Sequence, residues 1–288
     1  MFDTILVPTD GSDQAERALE TAAELARRHD GTVHALSVVD VRYLDKATEI
    51  DDAETDASVD LAEFVDRVDT DDFSVTTAVR HGVPDEEIRT YAADNDADLI
   101  VMGTHGRTGV RRYLLGSVTE KVVRLSDTPV LTVQETEDGT DVSFENILVP
   151  TDGSDGARAA ARPAAAVATA TDATVHALSV VDVRSMGVDV RSDLILDELE
   201  KVARSAVGTL EDDLATDGVQ SIQTDIVHGV PYQAISSYID DNDVDLVVMG
   251  THGRTGLERY LLGSVTEKIV RTSPVPVMTV RAPEEAEE

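Results

Sequence analysis

The chain has 288 residues, with 57 Asp and Glu against 24 Lys and Arg, a formal net charge of −33. A surface of that sign excludes sequence-independent binding to DNA, RNA or anionic membranes, all of which need a basic face. There is no cysteine, so disulfides, thiol nucleophiles and thiolate-bound zinc are excluded too.

In chain order, residues 4–7 are a short apolar strand, and the N-terminus lacks the basic region and long apolar core of a signal peptide. Residues 14–29 are a helix with Ala15, Ala18, Leu19, Ala22, Leu25 and Ala26 on one face, capped by Ser12 or Asp13. A strand over 32–39 follows, then an amphipathic helix over 53–69 with Leu61, Phe64, Val65 and Val68 inward. The acidic stretch 43–60 reads as a solvated loop entering that helix, with a lid over the site as the alternative. Next come a strand over 73–80, a helix over 85–94 after Pro84, and a buried strand over 98–102. A helix over 117–125 and a last strand at Val130–Val133 complete the set. Strict β/α alternation predicts a parallel sheet with helices on both faces. No apolar run is long enough to span a membrane, and the protein is expected to be cytoplasmic.

All of this is then written again. ILVPTDGSD at Ile5 recurs at Ile147, and TVHALSVVDVR at Thr32 recurs at Thr174, both offset by 142. HGVP, MGTHGRTG and RYLLGSVTEK, at His81, Met102 and Arg112, recur at His228, Met249 and Arg259, offset by 147. The period is that of a duplicated domain. The predicted domains are residues 1–138 and 143–282, joined by an acidic linker and followed by a disordered acidic tail at 283–288. Pro163 falls inside the first helix of the second copy and should kink or delay it.

Ligands of such sheets bind beyond the carboxyl ends of the strands, where the strand order reverses. There the chain places Gly103, Gly106 and, with nine residues between, Gly116-Ser117 at a helix start. The second copy has Gly250, Gly253 and Gly263-Ser264. Glycines let a backbone approach a ligand closely, and a helix N-terminus presents free N–H groups to phosphate. Neither a P-loop nor a G-x-G-x-x-G string is present. Asp10 and Asp152 read as ribose or Mg²⁺ contacts, or as turn and capping carboxylates. His105 and His252 read as loop-shaping rather than catalytic groups, and no nucleophile–base arrangement is evident. His34 and His176 read as packing residues. Arg107 and Arg254 are the best phosphate cations, with Arg111, Arg112 and Arg259 nearby.

With ILVPTDGSD, MGTHGRTG and LLGSVTEK in both copies, closed by TPVLTV and VPVMTV, the chain resembles the universal stress protein family in tandem, ATP-binding form. G-x-x-G-x₉-G-[ST] is that family's nucleotide signature, so the resemblance implies two ATP sites. It also implies two open five-stranded sheets of order 3-2-1-4-5. Pro8, Thr9 and Asp10 would form the floor, Val38 would present backbone groups to adenine, and Met102 and Gly103 would pass under the ribose. Gly106, Arg107 and Thr108, in one loop with Thr104 and His105, would meet phosphate, as would Gly116, Ser117 and Val118. The second set is Pro150, Thr151, Asp152, Val180, Met249, Gly250, Thr251, His252, Gly253, Arg254, Thr255, Gly263, Ser264 and Val265. Relatives dimerise through the last strand, which implies pairing of the two copies through Val130–Val133 and Val277–Val280, and a homodimer of chains beyond that.

The function expected is a nucleotide-dependent stress-response module, in which ATP occupancy rather than turnover sets conformation or partner. The alternatives are a slow ATPase or phosphotransferase and a nucleotide-free structural or chaperone-like protein. The 20 Arg and 4 Lys, on so acidic a chain, further predict a protein of high-salt surroundings.

Overall fold

The computed structural model describes residues 2–43, 47–68, 72–106, 115–134, 144–182, 193–253 and 262–282. The chain divides into two compact units, Met1–Val142 and Ser143–Glu288. No helix among the described residues is long and apolar enough to cross a membrane.

In the first unit the elements run β1 (Thr4–Thr9), α1 (Asp13–His29), β2 (Thr32–Asp40), a 3₁₀ turn (Val41–Tyr43) and α2 (Ala47–Val65). They continue with β3 (Ser74–Gly82), α3 (Pro84–Asp94), β4 (Leu99–Gly103), α4 (Ser117–Leu125) and β5 (Val130–Val133). The strand order is β3-β2-β1-β4-β5. All pairings are parallel, with Thr4 opposite Thr32, Ile5 opposite Leu99 and Ile100 opposite Val130. The connections β1→β2→β3 step one way and β4→β5 the other. Right-handed crossovers therefore place α1 and α2 on one face, and α3 and α4 on the other. Covered on both sides, β4 is buried at every residue. Ile5, Leu6, Leu36, Leu99, Ile100 and Leu131 are fully buried in the sheet, with Leu19 and Leu25 of α1 and Phe64 of α2 against it.

The second unit repeats the plan: β6 (Asn146–Pro150), α5 (Asp155–Ala159), α6 (Ala161–Thr171), β7 (Thr174–Val181), α7 (Asp193–Thr216) and β8 (Ser221–His228). It closes with α8 (Pro231–Asp241), β9 (Leu246–Gly250), α9 (Ser264–Thr272) and β10 (Val277–Val280). Its order, β8-β7-β6-β9-β10, is the 3-2-1-4-5 arrangement again. Each unit is thus an open, five-stranded, parallel α/β sheet of the kind foreseen.

Three local outcomes follow from chemistry. Ser12 caps α1, its hydroxyl accepting from Ala15 N at 3.4 Å, and Ser154 caps α5 from Ala157 N at 3.3 Å. Pro163, without an N–H, splits the corresponding helix of the second unit, and the break falls at Ala160, three residues earlier. The described part of the acidic stretch after β2 is not the solvated loop expected. From Ala47 onward it is helix α2, whose Ala and Glu are good helix formers and whose acidic side chains lie outward. Residues 44–46 of that stretch, residues 135–142 of the linker predicted at 134–142, and the tail at 283–288 lie outside the described residues.

Candidate functional site

The strand order reverses between β1 and β4 in the first unit and between β6 and β9 in the second, and there the carboxyl ends open a crevice. In the first unit this crevice is a cavity of about 270 Å³. Its floor is Pro8 and Thr9 at the end of β1 and Asp10 just after it, with Leu36 and Val38 of β2. One side is Met102, Gly103, His105 and Gly106, and the other is Gly116, Ser117, Val118 and Thr119 at the start of α4. Pro84 and Ile88 of α3 close it, two residues that the motif reading did not single out. They were legible only as a helix start, because their place at the cavity depends on α3 packing over the sheet.

The loop after β4 and the start of α4 are tied together by the backbone. Gly116 N donates to Thr104 O at 2.7 Å, and the Thr119 hydroxyl donates to Gly103 O at 2.9 Å. Gly263 N to Thr251 O at 2.8 Å and Thr266 to Gly250 O at 2.8 Å repeat this in the second unit. A Cβ on Gly116 or Gly263 would stand 3.2 Å from that threonine carbonyl, so glycine allows the close join. Gly116 and Gly263 are the N-cap residues of α4 and α9, so neither helix has a side-chain cap. The first-turn N–H groups of Ser117, Val118 and Thr119 therefore have no intrahelical acceptor, and they carry the positive end of the helix dipole. The same holds for Ser264, Val265 and Thr266.

Asp10 and Asp152 sit against the glycine loops. Asp10 Oδ1 accepts Ser12 N at 3.1 Å, and Asp152 Oδ1 accepts Ser154 N at 3.0 Å and the Ser154 hydroxyl. A Cβ on Gly106 would collide with Asp10 Oδ2, and one on Gly253 would come within 2.6 Å of Asp152 Oδ2. Thr9 and Thr151 fold the turn, each hydroxyl accepting the glycine N–H two residues on at 3.0 and 3.1 Å. Each aspartate thus braces a turn and presents a carboxylate beside the loop. No group of three or more His, Asp and Glu side chains disposed to hold a metal occurs among the described residues.

His105 and His252 each approach the hydroxyl of the preceding threonine through Nδ1 at 3.0 Å, while their buried Nε2 atoms have no hydrogen-bond partner. Pro150, Thr151, Asp152, Val180, Met249, Gly250, His252, Gly253, Gly263, Ser264 and Val265 occupy the corresponding strand ends, loops and helix start of the second unit. Arg107, Thr108, Arg254 and Thr255 lie outside the described residues, as do Arg111, Arg112 and Arg259.

His34 and His176 are packing residues in the amino-terminal halves of their strands, and His34 is not among the residues lining the crevice. Their Nδ1 atoms meet the Tyr91 and Tyr238 hydroxyls at 3.1 and 3.0 Å. Burial holds both histidines below the usual imidazole range. In the second unit Tyr238 also donates to Asp225 Oδ2 at 2.6 Å. Burial, then that bond and the carboxylate charge, push the phenol well above its ordinary value.

A larger hollow of about 420 Å³ lies between α7 and β8, lined by Glu200, Arg204, Glu211, Asp225 and His228 among others. Three of those groups are carboxylates, and Glu200 pairs with both Arg204 and His228, at 3.3 and 3.2 Å. It offers an anion little, whereas the crevice offers backbone donors at a helix start.

Residues 1–134 and again 143–281 match the universal stress protein family. A universal stress protein of Methanocaldococcus jannaschii is 38% identical over 143 residues, covering 49% of this chain and 84% of its own. A second from that organism is 32% identical over 155 residues, covering 46% of this chain and 96% of its own. The crystal structure of a universal stress protein from Archaeoglobus fulgidus shares the fold across the whole chain. Its TM-score is 0.77 at 23% identity, with 98% of this chain and 100% of that one covered. Two units, each with the family's strand order and each matched separately, lead to one conclusion: the chain belongs to the universal stress protein family, with one family domain in each half.

Proposed function

We propose that each unit binds ATP, as its Mg²⁺ complex, and that the protein works as a nucleotide-dependent stress-response module rather than as a fast enzyme. The observation that carries this reading is the join in each unit between a glycine loop and an uncapped helix start, made by Gly116 N to Thr104 O at 2.7 Å and Gly263 N to Thr251 O at 2.8 Å. It gathers several backbone donors at one place, which suits a triphosphate and needs no lysine. Asp10 and Asp152 fit the metal in a limited way. Mg²⁺ keeps several waters and takes one or two carboxylates plus phosphate oxygens, so one carboxylate per site suffices. The apolar floor of Pro8, Leu36, Val38 and Ile88 suits the base.

The test is nucleotide content. Protein purified in concentrated KCl is denatured, and released nucleotide is quantified by mass spectrometry, before and after incubation with Mg-ATP. Two ATP per chain supports the reading. Gly116→Val together with Gly263→Val should abolish uptake while leaving the circular dichroism spectrum unchanged. Full uptake by that double variant would refute the assignment of the phosphate loops. Rapid release of phosphate from bound ATP would move the protein to the ATPase class.

A further inference from the structure

The two units repeat nearly every residue of the site, yet they differ at one position beneath the glycine loop. Where α1 carries Gln14, α5 carries Gly156. Gln14 Oε1 accepts the His105 N–H at 2.7 Å and the Thr104 hydroxyl at 3.3 Å. A threonine hydroxyl has one proton to give. Since that proton goes to Gln14, the 3.0 Å contact of Thr104 Oγ1 with His105 Nδ1 is an N–H donated by the ring. Neutral His105 thus carries its proton on Nδ1, and its buried Nε2 is an acceptor. One amide oxygen holds the loop backbone and the threonine hydroxyl, and through the hydroxyl it sets the imidazole tautomer.

The second unit has no such anchor. A Cβ on Gly156 would collide with the His252 carbonyl oxygen, so the loop backbone takes the space filled by the Gln14 stem in the first unit. The His252 N–H has no hydrogen-bond partner among the described residues. The Thr251 hydroxyl, with no glutamine to claim its proton, is able to donate to His252 Nδ1, which puts the ring proton on Nε2.

We propose that Gln14 is a positioning residue that makes the first site the tighter of the two, because it adds an anchor to the loop of residues 103–106 before binding, whereas the loop of residues 250–253 keeps its join to the helix start but lacks that anchor. The proposal rests on the nucleotide reading above. A loop already held before binding spares the ligand the ordering free energy.

The experiment is calorimetric titration of Mg-ATP into the full chain. Two binding phases separated by about tenfold in Kd are expected, the ratio that about 1.4 kcal/mol sustains. Gly263→Val should keep the tight phase and Gly116→Val the weak one. Gln14→Ala in the Gly263→Val background should weaken the remaining site by about tenfold. A ligand-free readout accompanies this: long-range ¹H–¹⁵N spectra should show His105 as the Nδ1–H tautomer, and Gln14→Ala should remove that signature. Two filled sites of equal affinity overturn this proposal alone, as does a tight phase that survives in Gly116→Val. A His105 tautomer indifferent to Gln14→Ala also overturns it. No uptake at either site overturns the nucleotide reading, and this proposal with it.

Discussion

Where β4 ends against α1, one methyl group separates a site that assembles from one that is pushed apart. A Cβ on Gly103 would lie 2.8 Å from Gln14 Cβ and 3.1 Å from its backbone carbon. On Gly250 it would collide with the Gly156 carbonyl oxygen and come within 2.5 Å of the carbonyl carbon. Neither contact is relieved by a rotamer change, since a Cβ is fixed by its own backbone, and the atoms met at Gly250 are closer than those at Gly103. Gly103→Ala should therefore cost about 1–3 kcal/mol, the range for overpacking, and Gly250→Ala more, measured as urea midpoints in concentrated KCl. Equal midpoints for the two variants would show that the closer contact at Gly250 is relieved as easily as the one at Gly103. Residue chemistry also sets a pH response. Burial lowers the pKa of His34 and His176 in the folded state. As pH falls below about 6.5, the unfolded chain takes up those protons first, so stability is lost through that window and then levels once the folded groups protonate. Replacing both histidines with Gln should flatten the fall in melting temperature between about pH 7 and pH 5. An unchanged slope would assign the acid response to other groups.

At the scale of elements, four backbone positions use aspartate where glycine is the usual choice. Asp30, Asp96, Asp172 and Asp243 have φ between 47° and 55°. Asp30 and Asp172 end α1 and α6, each closing its helix by donating its N–H to a carbonyl four residues back. The left-handed conformation costs a side-chain residue about 1 kcal/mol or more relative to glycine, partly offset by glycine's greater freedom in the unfolded chain. Asp30→Gly and Asp172→Gly should each raise stability by a few tenths to about 1 kcal/mol, read from thermal melts in concentrated KCl. A loss instead would show that the aspartate carboxylates contribute more than the strain removes. Most elements were readable from periodicity and punctuation: Ser12 or Asp13 as the cap of the first helix, Pro84 ahead of a helix start, Pro163 as a breaker. The acidic stretch was not, because Asp and Glu are as much at home in a solvated loop as on a helix's outer face. Packing of Leu61 and Phe64 onto β2 and β3 decides in favour of the helix.

For the molecule as a whole, charge is the governing quantity. A net charge of −33 on 288 residues is strongly self-repelling, and exposed pairs such as Lys201–Glu198, with side chains 67% and 71% accessible, relieve little of it. The screening length shrinks from about 10 Å at 0.1 M salt to about 3 Å at 1 M. Melting temperature is therefore expected to climb steeply as KCl is raised through that range, with loss of the folded state on dialysis into dilute buffer. A melting temperature indifferent to KCl would remove the high-salt reading. The anionic ligand proposed for so acidic a chain is accommodated locally, since backbone N–H groups at α4 and α9 are donors whatever the net charge.

The duplication, the parallel α/β class and the two glycine sets are properties of the sequence alone. Exact repeats need no third dimension, β/α alternation limits the sheet topologies, and glycine spacing marks where a backbone must come close to something. What only the tertiary structure decided is how those pieces meet. Pro84 and Ile88 join the crevice because α3 crosses back over the sheet, and Asp10 reaches the glycine loop because β1 and β4 are neighbours across the reversal. The two copies differ beneath that loop because Gln14 and Gly156, one residue among many substitutions along the chain, lie directly under it. A one-dimensional reading weights every substitution alike, whereas hydrogen-bond geometry singles out the one whose side chain reaches the loop.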